Sequence, residues 1–167
     1  MDADVKKTVL RMIPYGIYVL TAEDDAGDVG AATINFVTQS SFDPPLVVLG
    51  VKADSGALHV LRASGHFALN MLGKGQQEMA FTFFRPAEHD GHTINGQPYQ
   101  KGSTGSPVLE AAPACVECKV VEIVERGDHH IVVGEVVDAR LVKHPEGRPD
   151  EAILYMKDLG EKVFYGG

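Results

Sequence analysis

The sequence has little cysteine, no tryptophan and no long apolar run. Two cysteines in 167 residues argue against a disulfide-rich secreted scaffold and favour a cytoplasmic location. No apolar run reaches the roughly 18 residues of a membrane span, and the N-terminus lacks the pattern of a secretory signal, so we expect neither. With 15 basic against 23 acidic residues, the formal net charge is −8, which argues against a general nucleic-acid binder.

The length and composition predict one globular domain over residues 1–167. Hydrophobic residues make up 44% of the chain and charged residues 23%, which is typical of a folded protein with a sizeable core. We find no internal repeat and no low-complexity linker that would divide it.

The apolar patterning predicts a mainly β fold with two or three short helices. We expect strands over 15–22, 29–39, 44–51, 66–72, 114–125 and 130–142, helices over 5–13, 54–65 and 76–85, and a long loop over 86–107. Short turns join most of the strands, and one helical crossover lies near 55–64. This order favours a closed antiparallel barrel with the helices packed outside it.

Small and hydrogen-bonding residues occupy a predicted strand where bulky side chains are usual. Along 29–39, alternation places Ala31, Thr33 and Asn35 on one face, and Ile34 and Phe36 on the other. Small side chains let a flat ligand approach the backbone, and Thr and Asn offer hydrogen bonds to a heteroaromatic edge. The alternative is a half-exposed strand whose polar face meets water.

Two further clusters suggest metal or redox chemistry, and we assign neither of them that role. Cys115 and Cys118 have zinc-like spacing, but on a strand this offset places the thiols on opposite faces, and no second pair completes a tetrahedral site. His, Asp and Glu gather in 88–92, in a polar loop without helical His spacing. We therefore predict no metal site.

Four segments in order resemble one known family. They are 33–45, with Thr33, Asn35, Ser41 and an acidic residue before a double proline, "ASGHFALNML" (63–72), "GSPVLEAAPACVECKV" (105–120) and "GDHHIVVGEV" (127–136). Together they resemble the flavin reductase-like family, the FMN-binding split barrels, over roughly residues 14–143. The resemblance implies a split antiparallel β-barrel that forms a homodimer with the flavin near the subunit interface.

The same resemblance implies a function. We expect an NAD(P)H-dependent flavin reductase that uses FMN, with FAD as the alternative, and either NADH or NADPH as co-substrate. Reduced flavin would then pass to a partner oxygenase, such as a monooxygenase, or to another electron acceptor. The competing hypothesis is a non-enzymatic FMN-binding electron carrier, which would keep its flavin and not use nicotinamide.

The resemblance also assigns roles at the flavin ring. Thr33, Asn35 and the backbone around Phe36 would lie along the isoalloxazine ring. Ser41 would hydrogen-bond the pyrimidine edge or the ribityl chain. Asn70 would have a structural role or lie beside the ribityl chain.

Other residues are implied at the phosphate and the nicotinamide. Lys52, Ser55 and the start of the helix would bind the phosphate, although Ser55 could simply cap the helix. The chain departs from the family at Gly56 and Ala57, where Ser or Thr is usual. His129 would position the nicotinamide against the flavin, its alternative being a turn histidine exposed to water.

Overall fold

The computed structural model describes residues 1–167, which fold mostly into antiparallel β-strands. The strands are β1 Tyr18–Glu23, β2 Val29–Ile34, β3 Val37–Phe42, β4 Pro45–Lys52, β5 His66–Met71, β6 Thr93–Ile94, β7 Gln97–Lys101, β8 Pro107–Leu109, β9 Ala114–Val124 and β10 His129–Leu141. The helices are α1 Ala3–Leu10, α2 Gly56–Ser64 and α3 Gln77–Thr82, with 3₁₀ turns at Pro149–Glu151 and Met156–Leu159. The prediction of mainly β structure with up to three short helices is confirmed.

Seven strands form one antiparallel sheet in the order β2-β1-β5-β9-β10-β4-β3. The edge strands β2 and β3 do not pair with each other, although only Asn35 and Phe36 separate them along the chain. The prediction of a closed barrel is therefore not confirmed, because hydrogen bonding does not continue across this gap. The two edges of the sheet still meet at the Asn35–Phe36 link.

Apolar side chains cover both faces of the large sheet. Val19 and Leu20, adjacent on β1, point to opposite faces and belong to two different clusters of 13 buried residues each. The Leu20 cluster collects residues from β1, β2, β4, β5, β9 and β10 and is covered by α2. The Val19 cluster lies between the sheet, α3, the smaller strands and the C-terminal segment. Both faces of the large sheet are therefore part of the apolar core.

The helix that follows β4 forms where its sequence signals predict. The Ser55 side chain accepts a hydrogen bond from the main-chain N–H of Leu58 at 3.2 Å and so caps the start of α2, while Gly65 ends it with φ of 71°. The helix packs closely on β2, because a Cβ added to Gly30 would lie 2.9 Å from Cα of Ala57. This contact fixes the start of α2 beside the sheet edge.

Two sequence predictions differ from the structure. The predicted strand 29–39 is two strands, interrupted at Asn35–Phe36, where the main chain leaves one edge of the sheet and joins the other. The predicted loop 86–107 contains β6, β7 and the start of β8, which form a separate three-stranded sheet. Its hairpin turns at Asn95 and Gly96, whose φ angles of 51° and 80° suit a two-residue turn.

Burial separates the two cysteines as the strand spacing predicts. Cys118 lies in the Leu20 cluster, and Cys115 packs with Ala68 and Val108 in a small cluster of its own. Burial, and to a lesser degree the nearby Glu117, raises the pKa of each thiol to about 12. None of the helices in the chain has both the length and the apolar character needed to cross a membrane.

Candidate ligand pocket

A cavity of about 430 Å³ lies at the gap between the edges of the large sheet. Its volume is within the roughly 300–1,000 Å³ typical of small-molecule sites. Most of its wall is apolar, and its polar side chains are those of Thr33, Asn35, Lys52, Ser55 and His129. The fold therefore brings together predicted site residues from β2, β4, the cap of α2 and β10.

Thr33 and Asn35 stand at the end of β2, where the strand leaves the sheet. The Thr33 hydroxyl donates to the carbonyl of Ala80 at 2.6 Å, and its N–H donates to the carbonyl of Phe83 at 3.1 Å. The Asn35 side chain is buried, and its amide donates to the carbonyl of Tyr165 at 2.8 Å. The predicted polar face is thus covered by α3 and the C-terminal segment, so the water-exposed alternative does not describe these two residues.

Lys52 and Ser55 form the second corner of the pocket. The Lys52 ammonium pairs with Asp54 at 3.1 Å, which raises the lysine pKa and lowers that of the Asp54 carboxyl. Ser55 both caps α2 and lines the cavity, so the two interpretations of this residue are compatible. A cation, a hydroxyl and the start of a helix are the donors that commonly bind phosphate.

His129 begins β10 and is half-buried at the pocket. Its Nδ1 lies 2.9 Å from the Asp128 carboxylate and its Nε2 2.7 Å from the Tyr165 hydroxyl. The hydrogen bond with His129 is the main reason that the Asp128 pKa is lowered. An anionic Asp128 favours the proton on Nδ1, leaving Nε2 as the acceptor on the pocket side. The neighbouring His130 does not line the cavity.

Sequence reasoning missed the part of the wall that comes from α3 and the C-terminal segment. This group comprises Phe83, Phe84, Met156, Leu159, Val163, Phe164 and Tyr165. The sequence "VFYGG" gave one local indication of this wall. It places two aromatic residues, Phe164 and Tyr165, next to two glycines, outside any helix or strand. Their contact with β2 is long-range, however, and no local pattern encodes it.

Three predicted site residues lie outside the pocket. Phe36 packs its ring against Tyr15 and His129 and accepts the N–H of Gly50 at 2.8 Å, so it supports the pocket without lining it. Ser41 lies beyond a bulge in β3, which carries it away from the pocket.

Asn70 is completely buried on β5 and does not line the cavity. Its amide group donates to the carbonyl of Val19 and to the Thr21 hydroxyl, both at 3.0 Å, and its oxygen accepts the N–H of Leu109 at 2.9 Å. All of these partners belong to the sheet and β8. Of its two predicted roles, this geometry supports the structural one.

The model of the flavin reductase like domain matches residues 10–160 of the chain, which is most of its length. The chain belongs to the flavin reductase-like family. The match includes β2, α2, β10 and the pocket residues Thr33, Asn35, Lys52, Ser55 and His129. It excludes the segment 161–167, which contributes Tyr165 to the same pocket.

Members of the flavin reductase-like family with known names resemble the chain over most of its length. The NADH:FMN oxidoreductase of Rhodococcus qingshengii is 32% identical over 130 residues, covering 78% of this chain and 66% of that protein. The styrene monooxygenase flavin reductase of Pseudomonas putida S12 superposes with a TM-score of 0.67 at 32% identity, covering 81% and 85% of the two chains. The NADH:FAD oxidoreductase of Streptomyces globisporus superposes with a TM-score of 0.71 at 28% sequence identity, covering 92% of this chain and 87% of that protein.

Several curated relatives are much longer than this chain. Three of them, 32% to 34% identical to it, are matched over only 38%, 57% and 25% of their own length. This chain therefore spans between a quarter and somewhat more than half of the length of these relatives.

Proposed function

We propose that the chain is an NAD(P)H-dependent flavin reductase whose flavin, FMN, binds in the 430 Å³ pocket. The observation that carries this proposal is the convergence of Thr33, Asn35, Lys52, Ser55 and His129 on one apolar cavity in a chain of this family. If the chain supplies reduced flavin to another enzyme, its binding groups need to orient the ring without holding it permanently.

The chemistry of the donor set fits the parts of FMN. Apolar walls suit the faces of a flat ring, and the Thr33–Asn35 edge suits its polar rim. Lys52, Ser55 and the N–H groups at the start of α2 suit a phosphate, although Asp54 neutralises part of the Lys52 charge. Bound flavin supplies the redox chemistry by accepting a hydride from the dihydronicotinamide.

The chain itself contributes orientation and exclusion of water. His129 would position the nicotinamide, and the hydrogen bond between its Nδ1 and the Asp128 carboxylate would favour one ring orientation. No proton transfer from His129 is needed for hydride transfer, so its contribution is geometric. Phe83, Phe84, Met156 and Leu159 would exclude water from the reacting ring.

The names of the relatives support the cofactors and the role. One relative is an NADH:FMN oxidoreductase and one solved structure an NADH:FAD oxidoreductase, so FMN is our proposal and FAD its alternative. Another structure is the flavin reductase of a styrene monooxygenase. We accordingly propose that this chain supplies reduced flavin to a partner oxygenase.

The finer architecture is also part of the proposal. The two sheet edges that meet at Asn35–Phe36 and the apolar cluster enclosed by six strands support a split barrel and a single domain over 1–167. Phe42, 90% exposed at the end of edge strand β3, supports a homodimer that would bury it. The free thiols of Cys115 and Cys118 agree with a reducing cytoplasm.

Steady-state kinetics with added FMN test the function. The purified chain should oxidise NADH or NADPH in the presence of FMN. Because one hydrogen bond or contact to the nicotinamide is lost, the His129→Gln variant should raise the nicotinamide KM by about 5- to 10-fold and leave the FMN dissociation constant nearly unchanged. His130→Gln is the matched control, since that neighbouring histidine does not line the pocket.

The outcomes separate the reductase from the carrier. Retained flavin without nicotinamide oxidation would support the electron carrier and remove the role of His129. Equal KM values for the two histidine variants would show that His129 does not contact the nicotinamide. Absence of both flavin binding and turnover would refute flavin chemistry at this pocket.

A further inference from the structure

The segment Lys162–Gly167 crosses the mouth of the pocket and separates it from a second cavity. This second cavity, of about 710 Å³, is formed by the start of the chain and the residues around Tyr155. Val163, Phe164 and Tyr165 line both cavities, as does Met156 outside the segment. The segment is therefore a thin wall whose displacement would join the two spaces. We call it the strap.

The strap hydrogen-bonds two side chains, Asn35 and His129, that the proposed function assigns to ligand binding. The carbonyl of Tyr165 accepts the Asn35 amide at 2.8 Å, and its hydroxyl lies 2.7 Å from Nε2 of His129. The Tyr165 ring also packs against Phe36 and His129, with ring centroids 5.8 and 5.6 Å apart. A flat ring with a polar rim thus stands at the position expected for a ligand of the same chemistry.

Few interactions hold the strap in place. Beyond the pocket, Arg11 of the N-terminal segment donates to the carbonyl of Gly166 at 3.2 Å and stacks over the Phe164 ring at 4.4 Å. The aromatic side chains themselves are only about half buried, with Phe164 52% and Tyr165 49% exposed. Segments with little burial and few hydrogen bonds open at low free-energy cost.

We propose that the strap is an internal competitor, in which Tyr165 takes the place of a planar, amide-bearing heteroaromatic ring and must leave before that ring binds. The ring is either the isoalloxazine of the flavin, through Asn35, or the nicotinamide, through His129. This inference rests on the proposed function. It makes ligand affinity depend on residues that do not contact the ligand.

Three variants test the competition. Tyr165→Phe removes the hydroxyl, Tyr165→Gly removes the ring, and Arg11→Ala loosens the strap from a position outside the ligand pocket. Each should bind its ligand roughly 2- to 10-fold more tightly, because the Tyr165 variants lose the hydrogen bond to His129 and Arg11→Ala loses the one to Gly166. The main-chain carbonyl of Tyr165 remains in all three variants, and with fewer other contacts it is displaced from Asn35 more easily. Tyr99→Phe, in the apolar core, and Lys6→Ala, exposed on α1, are matched controls and should match the wild type.

The ligand is measured in two separate arms. Quenching of flavin fluorescence gives the dissociation constant of FMN alone, and titration of the FMN-loaded protein with NAD⁺, which does not react with oxidised flavin, gives that of the nicotinamide. Tighter FMN binding assigns the strap to the flavin position, and tighter NAD⁺ binding alone assigns it to the nicotinamide position. Either result supports the competition.

Other outcomes overturn it. Unchanged affinities in all three variants would refute the competition while leaving the proposed function intact, as long as FMN still binds and turns over. Weaker binding in the Tyr165 variants would show that this residue helps to hold the ligand. Failure of the wild type and every variant to bind FMN would refute the proposed function and the competition with it.

Discussion

Replacing Asn70 by alanine tests whether this side chain stabilises the fold or binds the flavin. The side chain is completely buried and makes three hydrogen bonds, which tie β1, β5 and β8 together. The variant leaves the N–H of Leu109, itself 1% exposed, without its acceptor and beyond the reach of water. We therefore expect a large loss of stability and no direct loss of flavin affinity.

The magnitude follows from the orphaned donor and the space left behind. One buried unsatisfied N–H costs about 1 to 3 kcal/mol, and removal of a buried amide adds a cavity term. We expect the free energy of unfolding to fall by about 2 to 4 kcal/mol. For a domain of this size each kcal/mol shifts the thermal midpoint by about 2 to 4 °C, so the midpoint should fall by roughly 4 to 16 °C.

The assay is denaturant unfolding of the flavin-free protein, since bound flavin would itself raise the midpoint. FMN affinity is then measured at a temperature where the variant is folded. Asn35→Ala is the matched control, because it alters an asparagine inside the pocket. An Asn70→Ala variant that kept wild-type stability but bound FMN tenfold more weakly would refute our assignment and place Asn70 at the flavin.

Three further predictions concern the phosphate corner, the thiols and the strap. Gly56→Ser should tighten FMN by about tenfold and leave riboflavin unchanged, because a Cβ at this position meets open space and the added hydroxyl would stand at the start of α2, where we propose that the phosphate binds. Cys115 and Cys118 should resist a thiol reagent at pH 8 in the folded protein and react at once in denaturant, since burial raises their pKa to about 12. Burial also raises the pKa of Tyr165, so its hydroxyl should stay protonated, and the hydrogen bond to His129 intact, above the ordinary tyrosine value of about 10.

Each of these has a measurement that decides it. Equal gains for FMN and riboflavin would place the Gly56→Ser hydroxyl away from any phosphate. Rapid labelling of the folded protein, with mass spectrometry to locate the site, would show that a thiol is accessible. For Tyr165, the difference in tyrosinate absorbance between the wild type and Tyr165→Phe should titrate above the usual range, and titration at or below it would contradict the burial argument.

Local signals in the sequence predict much of the fold. Helix α2 lies between a capping Ser55 and the left-handed Gly65, and the strand before it, β4, carries the expected valine-rich run. The pair Asn95–Gly96 is an equally clear signal, because it favours a two-residue hairpin turn. The hairpin was not predicted because the strands beside the turn are short and lie in a polar segment.

The pocket was predictable only on the side that local pattern and family resemblance describe. Thr33, Asn35, Lys52, Ser55 and His129 converge on one cavity. The opposite wall comes from residues far along the chain, and the role of Tyr165 depends on contacts across more than a hundred residues. No spacing rule encodes a contact of that range. The local sequence did not decide the role of Asn70. A buried asparagine in a strand can hydrogen-bond either a ligand or the main chain, and the surrounding sequence is the same in both cases.

The gap at Asn35–Phe36 also affects how the protein folds. Its two edge strands are neighbours in the chain, yet each pairs only on the side away from the other, and β4 is paired to a strand that comes much later, β10. Long-range pairing of this kind is slow to nucleate. The space at the gap exists only when both ends of the sheet have assembled, so partly folded chains should have no affinity for flavin. Flavin should then slow unfolding and leave the rate of folding unchanged.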